Sequence, residues 1–167
     1  MENLLKLMSK KPKLILLVGI SGSGKSTWVR LHADPNAIVV SYDMLRFEIN
    51  GNVDDHPNSS KIHLIALSRI VKGLCDGKDV ILDATNVYSK GRRELLAEIR
   101  EMADVDFVAC AKIFPANPEL SKLRIENDIK AGLNRSNVPV EAINRQYQMF
   151  CENTHKLERD GYKIIVV

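Results

Sequence analysis

Apolar residues along this chain alternate between two spacings, and that alternation predicts the fold class. Short, nearly continuous apolar runs occur at 13–18, 37–41, 79–82, 105–114 and 162–167. Runs of this length, rich in Val, Ile and Leu, read as strands of a parallel sheet covered on both faces. Between them the spacing changes to three and four residues: Ile62, Ile65, Ala66, Leu67, Ile70 and Leu74 in one stretch, Leu95, Leu96 and Ile99 in a second, Ala142, Ile143, Tyr147, Phe150 and Leu157 in a third. These are apolar faces of helices. Breakers fall at the joints. Pro12 stops a short amphipathic leader, Asp34-Pro35-Asn36 ends a helix begun near Lys25, and Gly51 to Asn58 is an exposed loop. Gly77 and Gly161 are helix stops, Ser89 is a candidate N-cap, and Asn117-Pro118 sets a cap before a proline in the first turn. Residues 131–138 are polar and break the pattern before Pro139 opens the last long helix. Strands alternating with helices predict an α/β protein: a three-layer α/β/α sandwich around a parallel sheet of about five strands. The expected organisation is a flexible leader over 1–12 and a single domain over 13–167.

Composition narrows the function classes. At 167 residues with 45% hydrophobic and 27% charged residues, the chain is an ordinary globular protein able to bury a substantial core. No apolar run approaches the roughly 20 residues that span a bilayer, and the N-terminus lacks the features of a signal peptide. Cys75, Cys110 and Cys151 are widely spaced without a metal-ligand pattern, and are expected to be buried, reduced thiols of a cytosolic protein. The net charge of +3 resides in the leader, where Lys6, Lys10, Lys11 and Lys13 face Glu2; of 24 basic and 21 acidic residues this leaves 20 of each. Bulk charge therefore identifies no partner.

The chemistry begins at Gly19-Ile20-Ser21-Gly22-Ser23-Gly24-Lys25-Ser26-Thr27, between the first strand and the first helix. This is the G-x-x-x-x-G-K-[ST] pattern in its strand–loop–helix setting. The glycines let backbone amides turn toward a phosphate, and the helix that follows adds its positive dipole end. Lys25 reaches the β- and γ-phosphates, and the Ser26 hydroxyl is placed for Mg²⁺. The expected ligands are ATP and Mg²⁺.

A parallel sheet gathers its ligands at the carboxyl ends of its strands, where two further polar groups fall. Asp43 follows the second strand, either as a general base for an attacking hydroxyl or as the N-cap of a short helix over 44–49. Arg46, one helical turn on, suits a phosphate because its planar guanidinium binds two oxygens at once. Asp83 ends Val80-Ile81-Leu82-Asp83, resembling a Walker B strand. It holds Mg²⁺ through water, positions Ser26, or caps the following turn. Thr85 and Asn86 form that turn or contact substrate. Lys122, Arg124, Lys130 and Arg135 belong either to a solvated helix face or to a lid whose cations close over the triphosphate. The histidines 32, 56, 63 and 155 have no ligand spacing and read as incidental; Trp28 and Phe47 read as packing residues. Asp104-Val105-Asp106 lacks the following Thr of a phosphatase motif and enters a strand instead of leaving one.

In order, Gly-Ile-Ser-Gly-Ser-Gly-Lys-Ser-Thr-Trp, Ser-Tyr-Asp-Met-Leu-Arg, Asp-Ala-Thr-Asn and Asn-Val-Pro-Val-Glu-Ala-Ile resemble the phage 5′-polynucleotide kinase family, from about Lys13 to Phe150. The resemblance implies a P-loop kinase fold with a helical lid. Its implied activity is ATP-dependent transfer to the 5′-hydroxyl of a DNA or RNA end, in nucleic acid repair in the cytoplasm (the host's, for a phage protein). Asp43 would activate the hydroxyl and Arg46 would bind the neighbouring phosphate, while Val138 and Pro139 would lie on the adenine side. The family's R-N-x-x-R lid pattern corresponds to Glu126-Asn127-Asp128-Ile129-Lys130, so Lys130, Arg135 or Arg124 must supply the lid cation. No 3′-phosphatase motif is present, so kinase activity alone is expected. The rival readings are a small-molecule kinase of the same superfamily, acting on a nucleoside, sugar or antibiotic hydroxyl, and a non-enzymatic nucleotide switch.

Overall fold

The computed structural model describes residues 10–53 and 59–166. Most of the leader expected at 1–12, and the end of the 51–58 loop with His56, lie outside the described residues. The elements in order are β1 (Lys13–Val18), α1 (Lys25–His32), β2 (Ile38–Ser41), α2 (Tyr42–Asn50), α3 (Ser59–Cys75), β3 (Val80–Asp83), α4 (Ser89–Met102), β4 (Val108–Ile113), α5 (Pro118–Lys130), α6 (Val140–Asn153), a 3-10 turn (Thr154–Lys156) and β5 (Lys163–Ile164). The five strands form one parallel sheet in the order β2-β3-β1-β4-β5. The alternating pattern of the sequence is thus realised as expected. The strands are shorter at their ends: β4 begins at Val108 and β5 covers only Lys163–Ile164.

Because side chains alternate across a strand, the apolar run of β1 serves two cores. Leu14, Leu16 and Val18 point to one face and pack with Ile62, Ala66, Ile70 and Leu74 of α3 and Leu95, Leu96 and Ile99 of α4. Leu17, with Ile81 of β3 and Phe114, points to the other and packs beneath Trp28 and Val29 of α1. A third cluster joins Ile20 of the loop after β1 to Ile125 of α5 and Ile143 of α6. Each fully buried Leu or Ile contributes roughly 1.5–3 kcal/mol, so these faces fix the helices on the sheet. Trp28 packs as expected, edge-on to Phe114. Phe47 does not: it is 44% exposed. Cys110 is buried, but Cys75 and Cys151 are exposed, contrary to expectation. No helix among the described residues is long and apolar enough to cross a membrane.

Of two predicted caps, one differs from expectation. Asn117 accepts from the Leu120 amide at 3.0 Å, as its place before Pro118 predicts. Ser89 does not cap α4. It is the first residue of the helix, and its hydroxyl donates to Asp160 Oδ1 at 2.7 Å. That carboxylate is the centre of a buried polar group. The guanidinium of Arg92, 1% exposed, donates through Nε to Asp160 Oδ2 at 3.0 Å and through Nη2 to the Asn153 carbonyl at 2.7 Å. The Tyr162 hydroxyl donates to the Arg92 carbonyl at 2.8 Å. A buried charge deprived of its partner is strongly destabilising. Asp160→Asn is therefore expected to lower unfolding free energy by ~3 kcal/mol in urea denaturation; a loss below ~1 kcal/mol would contradict a charge role for the pair.

Candidate functional site

The loop after β1 needs glycine at two points. Gly22 has φ +77°, and a Cβ there would lie 2.7 Å from the Ser121 carbonyl oxygen of α5. Gly24, with φ +99°, turns the chain into α1. Left-handed φ at both positions is open to glycine without strain. Across the sheet, Gly19 N–H donates to the Thr85 carbonyl at 3.0 Å, and Asn86 Nδ2 donates to the Leu17 carbonyl at 2.8 Å. The loop and the β3 turn are thereby tied into one unit. Asn86 itself has φ +49°, a region Asn tolerates, and Arg92 Nη1 donates to its carbonyl at 2.9 Å.

Inside the loop the Lys25 ammonium is buried and donates to the carbonyls of Gly19 at 2.9 Å and Ile20 at 2.8 Å. Desolvation lowers its pKa to about 8; Asp83 opposes this, Arg135 adds to it, and Asp43 opposes it more weakly. Three charged groups from separate segments therefore face this one amine. Ser26 Oγ donates to Asp83 Oδ2 at 2.8 Å. Burial pushes the Asp83 carboxyl up, against the lowering effect of the Ser26 bond and of Lys25. Ser23 is buried within the loop, and Thr27 is exposed in the first turn of α1.

Asp43 is not the helix cap. Ser41 is, its hydroxyl accepting from the Met44 amide at 3.4 Å, while Asp43 lies inside the first turn of α2. The β2–β3 register pairs Ser41 with Asp83, which brings Asp43 beside the end of β3. Asp43 pairs with Arg46 one turn on, and Arg46 Nε also donates to the Val53 carbonyl at 3.0 Å. The carboxylate is 57% exposed and so open to an incoming group. Phe47, four residues on, shares this helix face.

Among the lid candidates, Arg124 Nη1 donates to the Gly22 carbonyl at 3.2 Å. Arg135 Nε lies 3.3 Å from Asp128 Oδ2, and its charge acts on both Lys25 and Asp83. Lys122 pairs with Glu119 on the outer face of α5. Lys130 is exposed in the last turn of α5, and no described contact brings it to the loop. Val138 packs against the cluster of Ile20, Ile125 and Ile143.

Two contacts escaped the sequence reading. Gln146 Oε1 on α6 accepts from the Ser21 amide at 2.8 Å. Its signal was available: a glutamine at i+3 from Ile143 and i−4 from Phe150 lies on the buried face of its helix. His63 bridges Tyr42 and Glu98; no spacing in the chain points to it. Beside this site a cavity of about 240 Å³ is lined by Tyr42, His63, Thr85, Asn86, Tyr88 and Arg92, among others.

The profile of the AAA domain family matches residues 14–152, from β1 almost to the end of α6. No curated protein sequence matches the chain. A chain in a solved structure of the Pnkp1/Rnl/Hen1 RNA repair complex is 26% identical, with TM-score 0.74 over 87% of this chain and 46% of that one. In a structure of the Pnkp1/Rnl/Hen1 complex, a chain 30% identical matches 65% of this chain and 37% of its own length, with TM-score 0.55. The chain thus spans less than half the length of either. Chaetomium thermophilum Kti12 in complex with ADP-AlF3 shares the fold at 17% identity, with TM-score 0.63 over 92% of this chain and 88% of that one.

The depressed pKa of Lys25 has a readable consequence. In the free protein the amine is largely neutral at pH 9, since its pKa is about 8. A bound polyphosphate stabilises the charged form and raises that pKa. Nucleotide binding at pH 9 is therefore expected to take up close to one proton, and affinity to fall as pH rises above 8. Calorimetry in buffers of different ionisation enthalpy measures this directly, and equal heats in all buffers at pH 9 would contradict it.

Proposed function

The chain belongs to the AAA domain family and has a P-loop kinase fold, and from that premise we propose that it transfers the γ-phosphoryl group of ATP to the 5′-hydroxyl of a DNA or RNA end. The observation that carries the acceptor assignment is the face of α2 beside Asp83, where Asp43, Arg46 and the exposed ring of Phe47 stand at i, i+3 and i+4. These are a carboxylate for the hydroxyl proton, a cation for a neighbouring phosphate and an aromatic surface for a base. The likeness to a chain of an RNA repair complex supports the same acceptor and a part in end repair. The order of motifs supports a phage-type kinase.

In this reading the amides from Gly19 to Thr27 cradle the triphosphate, and Lys25 holds its β- and γ-phosphates. Val138 lies toward the adenine. Ser26 and Asp83 are hard oxygen donors 2.8 Å apart, and they suit Mg²⁺, which is commonly held by one or two protein oxygens together with phosphates. When bound, the ion supplies charge neutralisation on the triphosphate. Asp43 accepts the proton of the 5′-hydroxyl as its oxygen bonds to Pγ. The bond from Pγ to the bridging oxygen breaks, and ADP leaves with the electron pair. Arg135 neutralises charge developing on the transferred group, with Lys130 as the outer lid cation, and Arg46 holds the next phosphate of the acceptor. Thr85 and Asn86 border the acceptor end. Catalysis is then mostly positioning and electrostatics.

The cavity of about 240 Å³ favours one alternative, a nucleoside, sugar or antibiotic as acceptor. Incubation with γ-labelled ATP and a panel of 5′-hydroxyl oligonucleotides, nucleosides and sugars separates the two. Label on oligonucleotides is expected; label on small acceptors alone identifies the alternative, and no labelling at all leaves a nucleotide switch. Asp43→Asn is expected to cut transfer on the order of 10²- to 10⁴-fold with ATP binding retained. For Arg46→Ala, the loss should be larger on acceptors bearing a phosphate next to the terminal nucleoside than on free nucleosides; equal losses would remove its proposed contact.

A further inference from the structure

Tyr42 is the first residue of α2 and immediately precedes Asp43. Its hydroxyl lies 2.8 Å from His63 Nδ1 on α3, and the two rings stack at 6.3 Å with 20° between their planes. On the far side of the imidazole, His63 Nε2 lies 2.9 Å from Glu98 Oε2 on α4. A carboxylate only accepts, so Nε2 carries a proton, and in the neutral ring Nδ1 accepts from the Tyr42 hydroxyl. The phenol remains a donor: burial, reinforced by Glu98, pushes its pKa up to about 12. One imidazole therefore joins three helices.

The bridge matters because of what else holds the start of α2. The Ser41 cap bond is long, 3.4 Å, and Leu45 is the buried residue of the helix. Asp43 itself points to an exposed position. The Tyr42 ring packs against the edge of the main core, and Tyr42 and His63 are also two walls of the neighbouring cavity, together with Thr85, Asn86 and Tyr88. Their hydrogen bonds thus lie at the cavity edge and add direction to that packing where the first turn of α2 begins.

We infer that His63 is a positioning residue, which by holding the Tyr42 hydroxyl on one side and Glu98 on the other fixes the first turn of α2 and with it the Asp43 carboxylate. The role of that carboxylate toward an acceptor hydroxyl rests on the function proposed above. The geometry of the bridge does not.

His63→Leu keeps the bulk and removes both bonds, whereas His63→Gln restores them. A carboxamide sets its acceptor and donor one carbon apart, as the imidazole nitrogens are, so it serves Tyr42 and Glu98 together. In hydrogen exchange of the free protein, the amides of residues 45–47 bond back to the carbonyls of Ser41 and the first turn of α2. In His63→Leu they should exchange roughly tenfold faster, the scale of one lost hydrogen bond, while residues 19–27 are unchanged. In transfer assays the same variant should lose on the order of 100-fold in kcat with KM for ATP unchanged, and His63→Gln should recover both readouts. Tyr42→Phe, which keeps the ring, should reproduce the local exchange increase and serves if His63→Leu fails to fold. Unchanged exchange at 45–47, an increase spread evenly over the chain, or no recovery by His63→Gln would overturn the inference. Exchange needs no acceptor, so a panel in which no oligonucleotide is labelled overturns the acceptor reading and leaves the exchange result to decide the bridge.

Discussion

A buried ammonium sets the terms of this site. Lys25 is taken out of water inside the loop and solvated there by the Gly19 and Ile20 carbonyls, and its environment makes the charged form costly. The loop conformation that achieves this requires the left-handed turns at Gly22 and Gly24. It also requires that β3 present Asp83 alongside and that Ser26 meet it. Each neighbour either relieves the burial of that charge or increases it: Asp83 and Asp43 relieve it, Arg135 increases it. A polyanion entering the loop satisfies the ammonium more fully than the protein does, which is a physical reason for the loop to bind phosphate.

The same loop is held from behind by a polar relay that starts near the C-terminal end of the described chain. Asp160 orients Arg92, Arg92 holds the Asn86 carbonyl, Asn86 holds the end of β1, and Thr85 accepts the Gly19 amide. In a region of low dielectric such bonds are strong and intolerant of loss. They make the β3 turn rigid, and Thr85, Asn86 and Arg92 of the relay also line the cavity beside it. On the opposite side the loop meets α5 at Ser121 and α6 at Gln146, both in direct contact with its backbone. The helices that follow the sheet are therefore mechanically continuous with the phosphate site.

Errors in reading the sequence fall where two residues compete for one local role. Ser41 and Asp43 are both good caps two positions apart; the start of α2 at Tyr42 selects Ser41 and leaves Asp43 inside the helix, exposed. Ser89 is likewise a good cap, yet the buried carboxylate of Asp160 claims its hydroxyl. Phe47 and Cys151 read as core by residue type and are on the surface, because apolar character alone does not say which face of a helix meets the sheet. His63 has no ligand spacing in the chain, since its partners stand 21 and 35 residues away.

What the sequence determined by itself was whatever is local. The alternation of apolar runs and helical spacing dictated the sandwich, and the phosphate loop was complete in nine consecutive residues. Asp43 with Arg46 was legible because one helical turn joins them. Tertiary structure alone decided which distant side chains meet. It brought Arg135 within the field of Lys25 and Asp83, left Lys130 outside, set Gln146 on the loop and joined Tyr42, His63 and Glu98. Such contacts depend on strand order and on how each helix is turned about its axis. Those are consequences of packing the whole apolar surface at once, and no short stretch of sequence carries them.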